Sequence, residues 1–121
     1  MATILVADDD LALRQTMRAV LRKAGYSVLL AQDGIEAVEL FERHADDVSL
    51  VVLDLVMPRM GGREARERIT ATRPATRFLF ISGSRGTGGS STFIEEERLS
   101  FLPKPFDAQL LLGHVHSVLA Q

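Results

Sequence analysis

Short apolar runs recur along this chain, each ending beside a polar or charged residue and each followed by a segment of a different character. "TILVA" (3–7), "YSVLLA" (26–31), "LVVLDL" (50–55), "RFLFIS" (77–82) and the shorter "SFLP" (100–103) are the runs. They are too short for buried helices and are largely apolar at consecutive positions, the pattern of strands covered on both faces. Between them lie segments with helical spacing. Leu13, Met17, Val20, Leu21 and Ala24 share one face of the first, and Gly25 is its stop. Ile35, Val38 and Phe41 mark the second. "GGREARERITATRP" has helical propensity but weak amphipathicity, its charge run makes a solvent face, and Pro74 ends it. Asp107 is placed to cap the closing helix. Strands alternating with helices predict (βα)5, an open parallel sheet with helices on both faces.

One stretch departs from the pattern. "GSRGTGGSS" (83–91) is a glycine- and serine-rich loop, and the fourth predicted helix, "TFIEEER" (92–98), is short, with Thr92 and Glu95 fitting a capping box. The loop lacks the lysine of a phosphate-binding loop. At 121 residues the chain is expected to be a single domain, 1–121. The absence of cysteine excludes disulfides, thiolate metal sites and cysteine nucleophiles. A net charge of −2 argues against direct nucleic-acid binding. No apolar run reaches membrane-spanning length, and the first acids come too early for a signal peptide, so a cytoplasmic setting is expected.

Open parallel sheets bind ligands beyond the carboxyl ends of their strands. At that edge the chain delivers Asp8 and Asp9, Asp54, Ser82 and Lys104. A lone aspartate at a strand end is ordinarily a turn or cap, and Lys104 alone would be a loop lysine. Asp54, at the end of an apolar run, has no such explanation, because a charge there needs a partner. Three carboxylates form a hard-oxygen site suited to Mg²⁺ or Mn²⁺. Unpartnered, they are expected to raise one another's pKa. Asp54 can act as a carboxylate nucleophile and form an acyl phosphate, with Lys104 and Ser82 on the other phosphoryl oxygens. Asp10 is assigned elsewhere, to the start of the first helix.

The motifs "ILVADDD", "VLDLVMPRMGG", "FLFISG" and "FLPKPF", in that order, make nearly the whole chain resemble a response-regulator receiver domain of two-component signalling. The resemblance implies a flavodoxin-like, doubly wound sheet of order 2-1-3-4-5. It makes Asp54 the phosphoacceptor, and Asp8, Asp9, Asp54 and the backbone carbonyl of Val56 the metal site. Ser82, Gly83 and Lys104 become the phosphate-binding residues, Ser82 and Phe101 the switch pair, and Pro105 a cis-proline. Phe101 has no hydroxyl, so its switching would work by packing. Arg59 stands where the family often has glycine, and is read as a change confined to the surface. Val56 and Ser84 are expected to border the site. The implied partners are a histidine kinase or histidine phosphotransfer protein and an unidentified output domain or protein. The resemblance also allows a homodimer through the fourth helix, fifth strand and closing helix. "GREARERI" and "FLPKPFDAQLLLGHVHSVL" look most like receivers at the C-terminus of hybrid histidine kinases.

Three other classes share parts of this pattern. A receiver-like interaction module that is never phosphorylated would keep the fold without the chemistry. A haloacid-dehalogenase-type phosphatase would use the Asp8-x-Asp10 motif, but the chain is short for that core. A flavin carrier shares the fold, but acids after the first strand would repel a flavin phosphate.

Overall fold

The computed structural model describes residues 2–83, 94 and 98–121. Strands β1 (Thr3–Ala7), β2 (Ser27–Ala31), β3 (Val48–Asp54), β4 (Phe78–Ser82) and β5 (Ser100–Pro103) form one parallel sheet. Its order is β2-β1-β3-β4-β5, as the resemblance implied. Helices α1 (Leu11–Lys23), α2 (Gly34–His44), α3 (Gly62–Thr72) and α4 (Ala108–Leu119) connect and close it. Of the loop expected at 83–91, residues 84–91, with Ser84, lie outside the described residues, as does the capping box of Thr92 and Glu95.

The consecutive apolar residues are explained by two cores. Ile4, Val6, Leu50, Val52, Leu79 and Ile81 point to one face, where Met17 and Leu21 of α1 and Leu111, Val115 and Val118 of α4 cover them. Leu5, Ala7, Val51, Leu53, Phe78 and Phe80 point to the other, under Ala37 and Phe41 of α2 and Ala65 and Ile69 of α3. Adjacent strand residues therefore serve opposite cores, and each fully buried aliphatic side chain contributes roughly 1.5–3 kcal/mol. The weak amphipathicity of α3 follows from the same contact. Its buried residues are only Gly62, Ala65 and Ile69, so the helix lies close to the sheet and its charges stay outside.

The helix ends follow the sequence closely. Asp10, Asp33 and Asp107 each accept a backbone hydrogen bond into the first turn of α1, α2 and α4. Beyond α1, Gly25 has φ +102°, and the amides of Gly25 and Tyr26 reach back to Arg22 and Leu21. That is a Schellman ending, which needs a left-handed residue and so favours glycine.

Two glycines differ in what surrounds them. A Cβ on Gly62 would lie 2.5 Å from the carbonyl oxygen of Asp54, whereas one on Gly113 would meet nothing within 4 Å. Gly62→Ala should destabilise the protein by roughly 1–3 kcal/mol, because backbone must move. Gly113→Ala, within exposed helix, should stabilise it by about 0.5–1 kcal/mol. Urea unfolding of the two variants checks both signs.

Candidate functional site

The sheet order reverses at β1, which has β2 on one side and β3 on the other. Side chains at the carboxyl ends of β1 and β3 therefore border the crevice that such a reversal leaves. Asp8 follows β1 directly and has the parity of Ile4 and Val6; Asp54 ends β3 with the parity of Leu50 and Val52. Both carboxylates thus extend the rows of side chains on the α1 and α4 face. Lys104 follows β5 with the parity of Leu102, in that same core.

The three meet. Lys104 Nζ lies 2.7 Å from Asp54 Oδ2 and 2.8 Å from Asp8 Oδ2. Asp8 is wholly buried and Asp54 is 4% exposed. The other oxygen of each acid takes a backbone amide, Asp54 Oδ1 from Val56 at 3.0 Å and Asp8 Oδ1 from Asp10 at 2.8 Å. Asp9 is exposed beside them, and Asp8, Asp9 and Asp54 each present an oxygen within 4.8 Å of the others. Asp8 Oδ2 is buried and has the lysine's charge near it but no aligned hydrogen bond. Three carboxylates against one ammonium leave two negative charges, which a small divalent cation would offset. Hard oxygen donors and a buried oxygen without a hydrogen bond fit such an ion.

Burial is the main force on Asp54. It pushes the carboxyl from 3.8 up to about 6, against the opposing pull of Lys104 and the Val56 amide. Repulsion from Asp8 raises it too, in the direction expected of neighbouring acids, but is the smallest contribution. Burial pushes Lys104 down, but its hydrogen bond to Asp54 and the nearby charges of Asp54 and Asp8 outweigh that and hold it above its usual 10.5.

The remaining expected residues are placed as follows. Ser82 is buried at the end of β4, and its carbonyl accepts the Lys104 amide at 2.9 Å. Gly83 is exposed alongside the lysine stem. Phe101 is half-buried on β5 opposite Phe80, packed on the α2 and α3 core. The Lys104–Pro105 bond is cis. Val56, whose amide bonds Asp54, is 56% exposed.

Two features had no clear signal in the sequence. Arg14 Nη1 donates to the Asp8 carbonyl at 2.7 Å, tying α1 to the acid loop. Arg59 is more than a surface change: it has φ +66°, and its guanidinium bonds the buried Asp33. Only the left-handed backbone explains why glycine would suit that position, and backbone angles are not written in residue identities.

Residues 4–116 match the family model described as the response regulator receiver domain. The chain is 34% identical over 118 residues to the sensor kinase CckA of Brucella abortus, covering 98% of this chain and 12% of that protein. It is 36% identical over 116 residues to the response regulator MprA of a Mycobacterium species, covering 96% of this chain and 50% of that one. The chain therefore spans half or less of these relatives. The receiver domain of the hybrid histidine kinase CckA superposes with a TM-score of 0.82 at 32% identity, covering 98% of this chain and 99% of that one. Chemotaxis protein CheY4 of Vibrio cholerae does so at 0.87 with 27% identity, over 98% of each.

The raised carboxyl of Asp54 has a consequence for stability. The folded state holds that proton more tightly than the unfolded chain, so ionised Asp54 costs stability above pH 6. The cost is relieved as pH falls from 6 towards 3.8. Metal-free Asp54→Asn should therefore be more stable than the parent at pH 7.5, on the order of 2 kcal/mol. The gain should shrink to near zero by about pH 4. Denaturant unfolding at three pH values measures this, and a gain independent of pH would contradict it.

Proposed function

The chain belongs to the response-regulator receiver family, and from that premise we propose that Asp54 is the residue that accepts its phosphoryl group. A receiver is a phosphoacceptor signalling domain of two-component systems. The observation that carries the assignment is the position of Asp54, buried, bonded to Lys104 and completing a three-carboxylate cluster.

An Asp54 oxygen attacks phosphorus in a phosphohistidine, forming the acyl phosphate P–O bond as the P–N bond breaks. The imidazole nitrogen keeps the electron pair and takes a proton. The donor is a histidine kinase or a histidine phosphotransfer protein. Small phosphodonors such as acetyl phosphate should serve as well, with acetate as leaving group. Asp8, Asp9, Asp54 and the Val56 carbonyl would hold Mg²⁺ or Mn²⁺, which when bound offsets charge on the phosphoryl oxygens. Lys104 is already bonded to the acceptor and needs only to shift from carboxylate to phosphoryl oxygen. The Val56 amide holds Asp54 Oδ1, which leaves the other oxygen facing Lys104.

The output follows from differential binding. Ser82, with the Gly83 backbone beside it, and Lys104 would contact the phosphoryl oxygens in the phosphorylated state only, which favours that state. Ser82 and Phe101 sit on neighbouring strands, with Phe101 half-buried against the core that includes Phe80. An inward movement of Ser82 would open room for the ring and change the surface around β5 and α4. That surface is where an output partner or a second copy of the chain would respond. No described helix is long and apolar enough to cross a membrane. A cytoplasmic location, as part of a hybrid histidine kinase or a response regulator, suits this role.

Incubation with acetyl phosphate and Mg²⁺ should add the mass of one phosphoryl group to the intact protein. Asp54→Asn should abolish the gain, and Asp9→Ala should weaken Mg²⁺ binding at least tenfold. Asp10→Ser should leave that affinity nearly unchanged, since Asp10 caps α1. No mass gain would favour an interaction module, and transfer surviving Asp54→Asn but lost in Asp8→Asn would favour the phosphatase reading.

A further inference from the structure

The segment 55–61 joins the acceptor strand to α3 and carries Val56. Its ends are held by backbone bonds, Leu55 N to the Ile81 carbonyl at 3.0 Å and Gly62 N to the Leu55 carbonyl at 3.2 Å. Its middle is held by α2, an element that contributes nothing to the acid cluster.

Asp33 caps α2 and is 4% exposed. Its two oxygens do different work. Oδ1 accepts the Glu36 amide at 2.8 Å, which is the cap. Oδ2 receives two nitrogens of Arg59, Nε at 2.9 Å and Nη2 at 2.8 Å. The next residue adds a second tie, since Gly34 N donates to the Met60 carbonyl at 2.9 Å. The approach is tight enough that a Cβ on Gly34 would lie 2.4 Å from that oxygen.

Arg59 adopts φ +66°, a conformation that side chains disfavour. Something must outweigh that cost. A charge-assisted pair with a buried carboxylate does so, and it acts across elements 26 residues apart. Burial pushes the Asp33 carboxyl up, yet the Glu36 amide and Arg59 together hold it below its usual range. The cap alone does not need Oδ2, so the second oxygen serves the loop.

We propose that Asp33 and Arg59 are positioning residues for the cation site: their ion pair holds segment 55–61 in the shape that sets Val56 beside Asp54. The inference rests on reading the acid cluster and the Val56 carbonyl as the metal site. Neither Asp33 nor Arg59 touches the ion. They act through the loop backbone, three residues from Val56.

The test uses ¹⁵N-labelled whole chain at a temperature where every variant is folded. NMR reads Mg²⁺ affinity from amide shifts and, without metal, the exchange rates of the Val56 and Gly62 amides. Asp33→Asn keeps an oxygen for the cap but loses the charge that holds Arg59. Arg59→Gly removes the partner and also the cost of positive φ. Each should weaken Mg²⁺ binding about five- to tenfold. Each should speed Val56 and Gly62 exchange at least tenfold while Val52, in the sheet core, stays protected. The double variant should be no worse than either single one, as expected when two residues act through one interaction.

Asp9→Ala separates the two readings. If it leaves Mg²⁺ affinity intact, the metal reading fails and the positioning role falls with it. If it removes binding while Asp33→Asn and Arg59→Gly keep parental affinity, the positioning role alone is overturned. Additive losses in the double variant, or Arg59→Gly restoring the parental affinity of Asp33→Asn, would also overturn it.

Discussion

One ammonium group is shared between two buried carboxylates at the edge of this sheet, and that imbalance organises the molecule around it. Lys104 cannot neutralise both Asp8 and Asp54, and Asp9 adds a third negative charge beside them. Water relieves the excess poorly at Asp8 and Asp54, which are buried at the ends of strands covered on both faces. The cluster is thus short of positive charge by design of its composition. A divalent cation would remove the deficit; without one, burial pushes the Asp54 carboxyl up to about 6.

The surrounding fold supplies what this arrangement demands. Adjacent β1 and β3 bring Asp8 and Asp54 together, and β5 at the far edge delivers Lys104 through the loop after it. The start of α3 must come almost into contact with the Asp54 carbonyl, which is why a side chain at Gly62 has no room. Arg14 holds the Asp8 loop from α1, and Asp33 holds the segment after Asp54 from α2. Both helices that flank β1 in sequence or space therefore brace the acid cluster without contributing a charge to it.

Most of the fold was legible because it depends on local patterns. Consecutive apolar residues in "LVVLDL" could only serve two cores, and the caps at Asp10 and Asp107 followed from residue type at a helix start. The candidate site was legible because its acids, hydroxyl and lysine fall at strand ends, which a parallel sheet collects at one edge. Arg59 was not legible. Its importance comes from a left-handed backbone angle and from a partner 26 residues away, and neither leaves a trace in the spacing of residues. The dominant part that burial plays in raising Asp54 was not legible either, since burial depends on what packs over a residue.

The sequence by itself determined the alternation of strands and helices, where most helices start and stop, and which chemical groups reach the carboxyl edge. These follow from short-range physics: side-chain period, capping chemistry and glycine stops. Only the tertiary structure decided how those groups meet. It set Lys104 between Asp8 and Asp54 rather than in solvent, pressed α3 against the end of β3, and tied Arg59 to Asp33. The reason is that charge compensation and close packing depend on distances between elements remote in sequence. Those distances exist only once the two cores have formed.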